Sequence, residues 1–123
     1  MRRKSWQRAP STTERGRAAE RRAAWHYRLR GYRILGRNVR AGGVELDLIV
    51  RRGRSLVFVE VKHKSGPRYG DPLEAAGEWK RERLRRGIAA WLATHRGPAP
   101  LDVRVDIVAV RGRTVERVPE LLY

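Results

Sequence analysis

No cysteine occurs among the 123 residues, which excludes disulfides, thiolate zinc sites and a thiol nucleophile. That absence fits a reducing, cytoplasmic setting. Long apolar runs are missing too: none approaches the ~20 residues that a membrane helix needs, so no membrane partner is expected. The N-terminal stretch "MRRKSWQRAP" is basic but lacks the apolar segment of a signal peptide. Acidic residues are few, 13 against 29 Lys plus Arg. Lysine itself is scarce, with only Lys4, Lys62, Lys64 and Lys80, so nearly all of the positive charge is arginine.

The resulting net charge is +16. Arginine forks suit phosphate, so the direct reading is a polyanion partner, most simply nucleic acid. A plainer reading is a genome rich in arginine codons, together with solubility. A small domain is soluble at a net charge of only ~2–8, which favours the polyanion. Charge of this kind carries no sequence specificity and no catalysis by itself.

A chain of this length suits one domain, placed at 13–123 behind a basic flexible tail at 1–12. "STTE" at 11–14 has the capping-box pattern, with Ser11 as N-cap and Glu14 three residues on. It predicts a helix to about Leu29, stopped by Gly31. Ala19, Ala23, Ala24 and Tyr27 form its inward stripe, and Glu20 lies on or beside that stripe. Strands are predicted at 32–39 with a bulge near Gly36, at 44–50, at 56–62, at 101–110 and at 114–118. In the second, Val44, Leu46, Leu48 and Val50 alternate with Glu45, Asp47 and Ile49. A long helix is expected from Asp71 or Pro72 to His95, with Leu84, Ile88, Trp91 and Leu92 facing the core and Lys80 one turn before Leu84. The order is α-β-β-β-α-β-β: an α/β fold with a mixed central sheet and helices on both faces. Strands two and three form an antiparallel hairpin, and a helical crossover makes strands three and four parallel.

Three charges interrupt the most apolar part of this pattern. Leu56, Val57, Phe58 and Val59 are apolar on both faces, as in a central, doubly covered strand, yet Glu60 and Lys62 follow on the face of Leu56 and Phe58. A two-residue turn at Gly53-Arg54 places Asp47 opposite Glu60 and Glu45 opposite Lys62. Opposed Cβ atoms lie roughly 5 Å apart. Two ionised carboxylates at that distance repel by about 3 kcal/mol at an effective dielectric near ~20. Protonation or a cation must relieve this. Lys62 does so in part and a divalent ion more fully. Hard oxygen donors without cysteine or a nearby His pair favour Mg²⁺ or Mn²⁺ over zinc.

An ion on Asp47 and Glu60 would serve phosphate chemistry, with Lys62 orienting or deprotonating water or neutralising developing charge. Glu20 is a candidate third carboxylate, and the carbonyl of Val61 a candidate extra ligand. Arg68 and Tyr69, in the turn-rich loop after the charged strand, are placed to touch substrate, and Lys64 and Lys80 complete the expected nucleic-acid contacts. Plainer roles stand beside these. Glu60 and Lys62 at i, i+2 suit a salt pair, Glu20 suits Arg17 or Arg21, and Glu45 suits Lys62. Trp79 and Trp91 suit the core or its rim. His26, His63 and His95 form no metal or triad pattern.

"GRAAE" (16–20), "ELDLI" (45–49), "VFVEVK" (57–62), Lys80 and "RVDIVAV" (104–110) together resemble the YraN-like family of small bacterial proteins. That family is grouped with archaeal Holliday junction resolvases in the PD-(D/E)xK nuclease superfamily. The resemblance spans about residues 13–110, and the joint match of Glu20, Asp47, Glu60 and Lys62 carries it. It implies a restriction-endonuclease-like fold, with Asp47 and Glu60 as metal ligands, Lys62 as the catalytic lysine and Glu20 as an auxiliary carboxylate. The reaction implied is metal-dependent hydrolysis of DNA phosphodiesters at branched or junction structures. The chain departs from the pattern at Leu46, where proline is expected, and at His63, where arginine is expected. A non-catalytic nucleic-acid-binding protein on the same fold is the alternative. Paired cuts at a junction would require a homodimer.

Overall fold

The first helix can lie close to a sheet because its inner stripe is mostly alanine. In the computed structural model, which describes residues 12–64, 78–95 and 97–120, α1 (Thr12–Arg28) buries Ala19, Ala23, Ala24 and Tyr27 and exposes Arg17, Arg21, Arg22 and Arg28. The chain then forms β1 (Arg33–Ala41), β2 (Val44–Arg52) and β3 (Ser55–Lys64), crosses through α2 (Glu78–Thr94), and ends in β4 (Asp102–Arg111) and β5 (Thr114–Glu120). The expected order of elements is observed. The expected start of the second helix at 71–72 lies outside the described residues, as does the expected tail at 1–12 except for Thr12, which opens α1.

The five strands lie in the order β1-β2-β3-β4-β5, antiparallel except for the parallel β3–β4 pair. The expected bulge in β1 is present as a register shift between Ile34 and Gly36. Arg52 pairs with Ser55 around a two-residue turn, where Gly53 has φ 61°. Only glycine takes such a backbone angle without steric cost.

Side chains from alternate positions feed two cores. Leu48, Val50, Val57, Val59, Val108 and Val110 pack under α1, whereas Leu56, Phe58 and Val105 pack with Ile88 and Trp91 of α2. The ring of Phe58 meets that of Trp91 edge-on at 5.5 Å. Gly87 brings α2 onto β2: a Cβ there would stand 3.1 Å from the Val44 Cβ and 3.2 Å from a Leu46 methyl. One expectation fails in β2. Val44 and Leu46 belong to the α2 core while Leu48 and Val50 belong to the α1 core, so its apolar residues do not share one face. Period-two alternation assumes a strand without local irregularity. Here the strand changes its facing between Leu46 and Leu48, at Asp47.

The α1 core contains one fully buried charge, Asp106 on β4. The hydroxyl of Tyr27 donates to its Oδ2 at 2.5 Å, Arg104 donates through Nε and Nη2 at 2.7 and 3.0 Å, and Arg117 donates through Nη1 at 3.3 Å. Burial and the Asp106 carboxylate push the Tyr27 phenol far above its ordinary range, so it stays a donor. The network joins α1 to β4 and β5 and gives the buried carboxylate the partners it needs. Among the described residues, no helix is long and apolar enough to cross a membrane.

Tyr27→Phe removes one donor and leaves the two arginines in place. It should cost about 1–3 kcal/mol and lower the melting temperature by about 4–10 °C. Asp106→Ala leaves a buried hydroxyl and two guanidinium groups short of an acceptor and should cost about 3–5 kcal/mol. Thermal denaturation of both variants checks the order; a Tyr27→Phe protein as stable as its parent would remove the hydroxyl from the account.

Candidate active site

The β2–β3 ladder runs from Arg52–Ser55 to Leu48–Val59. That register sets Asp47 and Glu60 next in line, as the turn length predicts. Beyond Leu48 a side chain takes over from the backbone: Val61 N–H donates to Asp47 Oδ2 at 2.9 Å. β3 continues past this point in unbroken parallel pairing with β4 as far as Lys64–Arg111. One side of β3 therefore stays tied to the sheet while the other gives way to a cleft.

Asp47 and Glu60 line that cleft together, with Val44, Glu45, Arg83 and Leu84, around a space of about 180 Å³. Lys62 reaches back along its own strand, with Nζ 3.4 Å from Glu60 Oε1. Both side chains of this pair are largely buried, 18% and 16% exposed, so their attraction is screened less than that of a surface pair. Asp47 has no cation of its own on the described side chains that line the cleft except Arg83 at its rim. Burial first, and the Glu60 charge second, push its carboxyl from 3.8 up to about 7, with Glu20 and Glu45 adding to the rise and the Val61 N–H opposing it.

Glu20 does not line this cleft. It lies in the neighbouring one, with Gly16, Arg17, Asn38 and Glu45, and its Oε1 accepts from Asn38 Nδ2 at 3.2 Å. Glu45 is common to both clefts. Asn38 holds Glu20 from the left-handed backbone region, with φ 51°, which asparagine tolerates better than most residues. The fold thus brings Asp47, Glu60 and Lys62 together and puts Glu20 within electrostatic reach of Asp47. Arg68 and Tyr69 lie outside the described residues, as do the side chains of Lys64 and Lys80.

Two oxygen donors in one partly buried cleft suit a hard divalent ion that keeps much of its water, as Mg²⁺ does. Among the described residues, no group of three or more Asp, Glu, His or Cys side chains stands ready to hold a metal. The donor set therefore fits an ion held by two carboxylates and completed by water or backbone oxygens, but not a preformed all-carboxylate cage.

Sequence reading missed Asn38 and Arg83 as cleft residues, and it placed Glu45 opposite Lys62 as its partner, whereas Glu45 lines both clefts and Lys62 Nζ lies against Glu60. Asparagine beside the bulged glycine in "GRNV" carried a signal, since that residue type favours the left-handed region. Arg83 carried none, being one arginine among many.

The raised Asp47 value has a stability consequence. The folded state holds the proton more tightly than the unfolded one, so the stabilising contribution is full below about pH 4 and is lost as pH rises to about 7. Without divalent ions, Asp47→Asn should be the more stable protein at pH 8, by about 1–2 kcal/mol after screening at this half-buried site. The gap should close by pH 4. Melting curves across that range test this, and an Asn variant less stable than its parent at pH 8 would contradict it.

A family model described as "Uncharacterised protein family UPF0102" matches residues 19–110. A UPF0102 protein of Leifsonia xyli subsp. xyli is 45% identical over 97 residues, covering 79% of this chain and 81% of its own. One from Frankia casuarinae is 48% identical over 95 residues, covering 77% and 80%. One from Shewanella amazonensis is 42% identical over 101 residues, covering 82% and 92%. The matched span takes in Glu20, Asp47, Glu60 and Lys62, and the chain belongs to the UPF0102 family.

Proposed function

We propose that the protein is a Mg²⁺- or Mn²⁺-dependent endonuclease that hydrolyses DNA phosphodiester bonds, with branched or junction DNA as the favoured substrate class. The fold reading that goes with it is restriction-endonuclease-like. The observation that supports it most is the shared cleft of Asp47 and Glu60, with Lys62 on Glu60, in a chain whose net charge is +16. A site that only bound phosphate would have no use for clustered carboxylates.

Asp47 and Glu60 would hold the ion, with the Val61 carbonyl and Glu20 as further oxygen donors. When bound, the ion supplies positive charge against the scissile phosphate and acidity to a water molecule. Asp47 is oriented by the Val61 N–H, so one of its oxygens is fixed before substrate arrives. Lys62, on the same strand, orients the attacking water and stabilises charge on the phosphorane. Water oxygen bonds to phosphorus, the bond from phosphorus to the leaving sugar oxygen breaks, and the proton lost by water ends in solvent or on the leaving oxygen. Lys64, Lys80, Arg68 and Tyr69 are proposed to hold the flanking strand.

The second reading, a nucleic-acid-binding protein that does not cut, is favoured by one observation: Glu20 is turned to Asn38 in the adjacent cleft and does not join Asp47, Glu60 and Glu45 in the first. Labelled single-stranded, duplex, flap and four-way DNA incubated with Mg²⁺ or Mn²⁺ separates the two. Lys62→Ala should slow cutting by ~10²–10⁴-fold, and Asp47→Ala should abolish it. Both should retain binding at low salt, and Asp47→Ala should bind DNA at least as tightly as its parent. Mn²⁺ should raise the melting temperature of the parent at pH 8 and not that of Asp47→Asn. Cutting that survives both substitutions would place the chemistry elsewhere. Tight, steeply salt-dependent binding with no cutting of any substrate would establish the second reading.

A further inference from the structure

A second opening in the surface lies between the C-terminal half of α1 and the β4–β5 turn, with a space of about 410 Å³. Trp25, Leu29, Arg22, Arg30 and Arg113 form its walls, with His26 beside them. It shares no lining residue with the Asp47 cleft. Along α1, Glu20 and Leu29 are separated by about 13 Å of helix rise.

Trp25 on α1 is 58% exposed and Leu29, just past the helix end, is 76% exposed, while the inner stripe of the helix already satisfies the core. Trp25 therefore contributes little to folding. The Arg28 guanidinium stands 5.7 Å from its ring centroid, within cation–π range. Among the described residues, three arginines and no acidic residue line the opening. The His26 imidazole is pushed below its ordinary value by burial first, then by Arg30 and Arg117, against the pull of Asp106. An open indole flanked by guanidinium groups is the combination that binds unpaired nucleotides, by base stacking on the ring and phosphate contact at its edges. A duplex hides its base faces and can use only the arginines.

We propose that the groove between α1 and the β4–β5 turn holds a single nucleic-acid strand, with Trp25 stacking on a base and Arg22, Arg30 and Arg113 contacting phosphates. This deepens the proposed function by giving the protein a seat for an unpaired arm away from the cleft. It rests on the polyanion part of that reading and is independent of cutting.

The test is fluorescence anisotropy of a labelled oligothymidylate and of a blunt duplex of equal length at one salt concentration. Trp25→Ala should weaken single-strand binding by about ten-fold or more while changing duplex binding less than about two-fold. Trp25→Phe should restore most of the loss, because a ring remains to stack. Arg113→Ala should reduce the slope of log affinity against log salt by about 1 for the single strand. Asp47→Asn separates the two proposals: it should stop cutting and leave single-strand binding intact. Single-strand binding unchanged in Trp25→Ala overturns the groove proposal, as does an equal loss on both substrates. So does a Trp25→Ala protein that changes only its self-association in sedimentation, which would make the patch a contact between copies. None of those outcomes bears on the cleft.

Discussion

The hydrogen bond from Val61 N–H to Asp47 Oδ2 sets the geometry on which the cleft depends. A strand amide at a partly buried position needs an acceptor, and leaving it without one costs about 1–3 kcal/mol. Where the β2–β3 ladder ends at Leu48–Val59, the acceptor becomes a side-chain carboxylate. The same substitution turns Asp47 toward β3 and brings it beside Glu60. A backbone requirement therefore places a negative charge where another already sits. The change of facing in β2 between Leu46 and Leu48 is the local form of this exchange, and Gly87 lets α2 close over it.

Two aspartates of this fold are removed from water, and their surroundings differ in sign. Asp106 is met by a tyrosine hydroxyl and two arginines, which is how a fold satisfies a carboxylate it uses for structure. Asp47 accepts from the Val61 amide, and the charges that bear on its proton are those of Glu60, Glu20 and Glu45. The chain has 25 arginines and four lysines, yet among the described residues the carboxylate neighbours of Asp47 outweigh its cations in setting its charge balance. A carboxylate kept among carboxylates in so basic a protein is strained in its ionised form. Strain of that kind is typical of sites that await a cation or a proton.

Much of this architecture is written in the chain at short range. The alternation of Val57 and Val59 with Leu56 and Phe58 marks β3 as doubly covered, and the two cores confirm it. Gly53-Arg54 sets the hairpin register because a two-residue loop permits only one pairing. From that register the approach of Asp47 and Glu60 follows. What is not legible depends on contacts distant in sequence. Asp106 read as part of a strand, and nothing local says that Tyr27, 79 residues away, will donate to it. Glu20 was legible as facing inward but not as the partner of Asn38, because a helix period gives a direction and not a neighbour. The facing change in β2 was hidden because alternation can be read only if a strand stays regular.

Net charge and local charge act over different distances, and the protein uses both signs. At physiological ionic strength the Debye length is about 8 Å, so the arginine-rich surface attracts an anion only once it comes within about that distance. Inside the cleft, the carboxylates of Asp47, Glu60 and Glu45 would oppose an anion at short range. A purely electrostatic binder would remove the opposition, since each carboxylate weakens binding. Retaining it makes physical sense if a divalent cation enters with the nucleic acid, because the ion reverses the sign of the site and makes phosphate binding conditional on its presence. Burial and the neighbouring Glu60 raise the Asp47 carboxyl, so the proton it would hold is one that a cation bound there would displace.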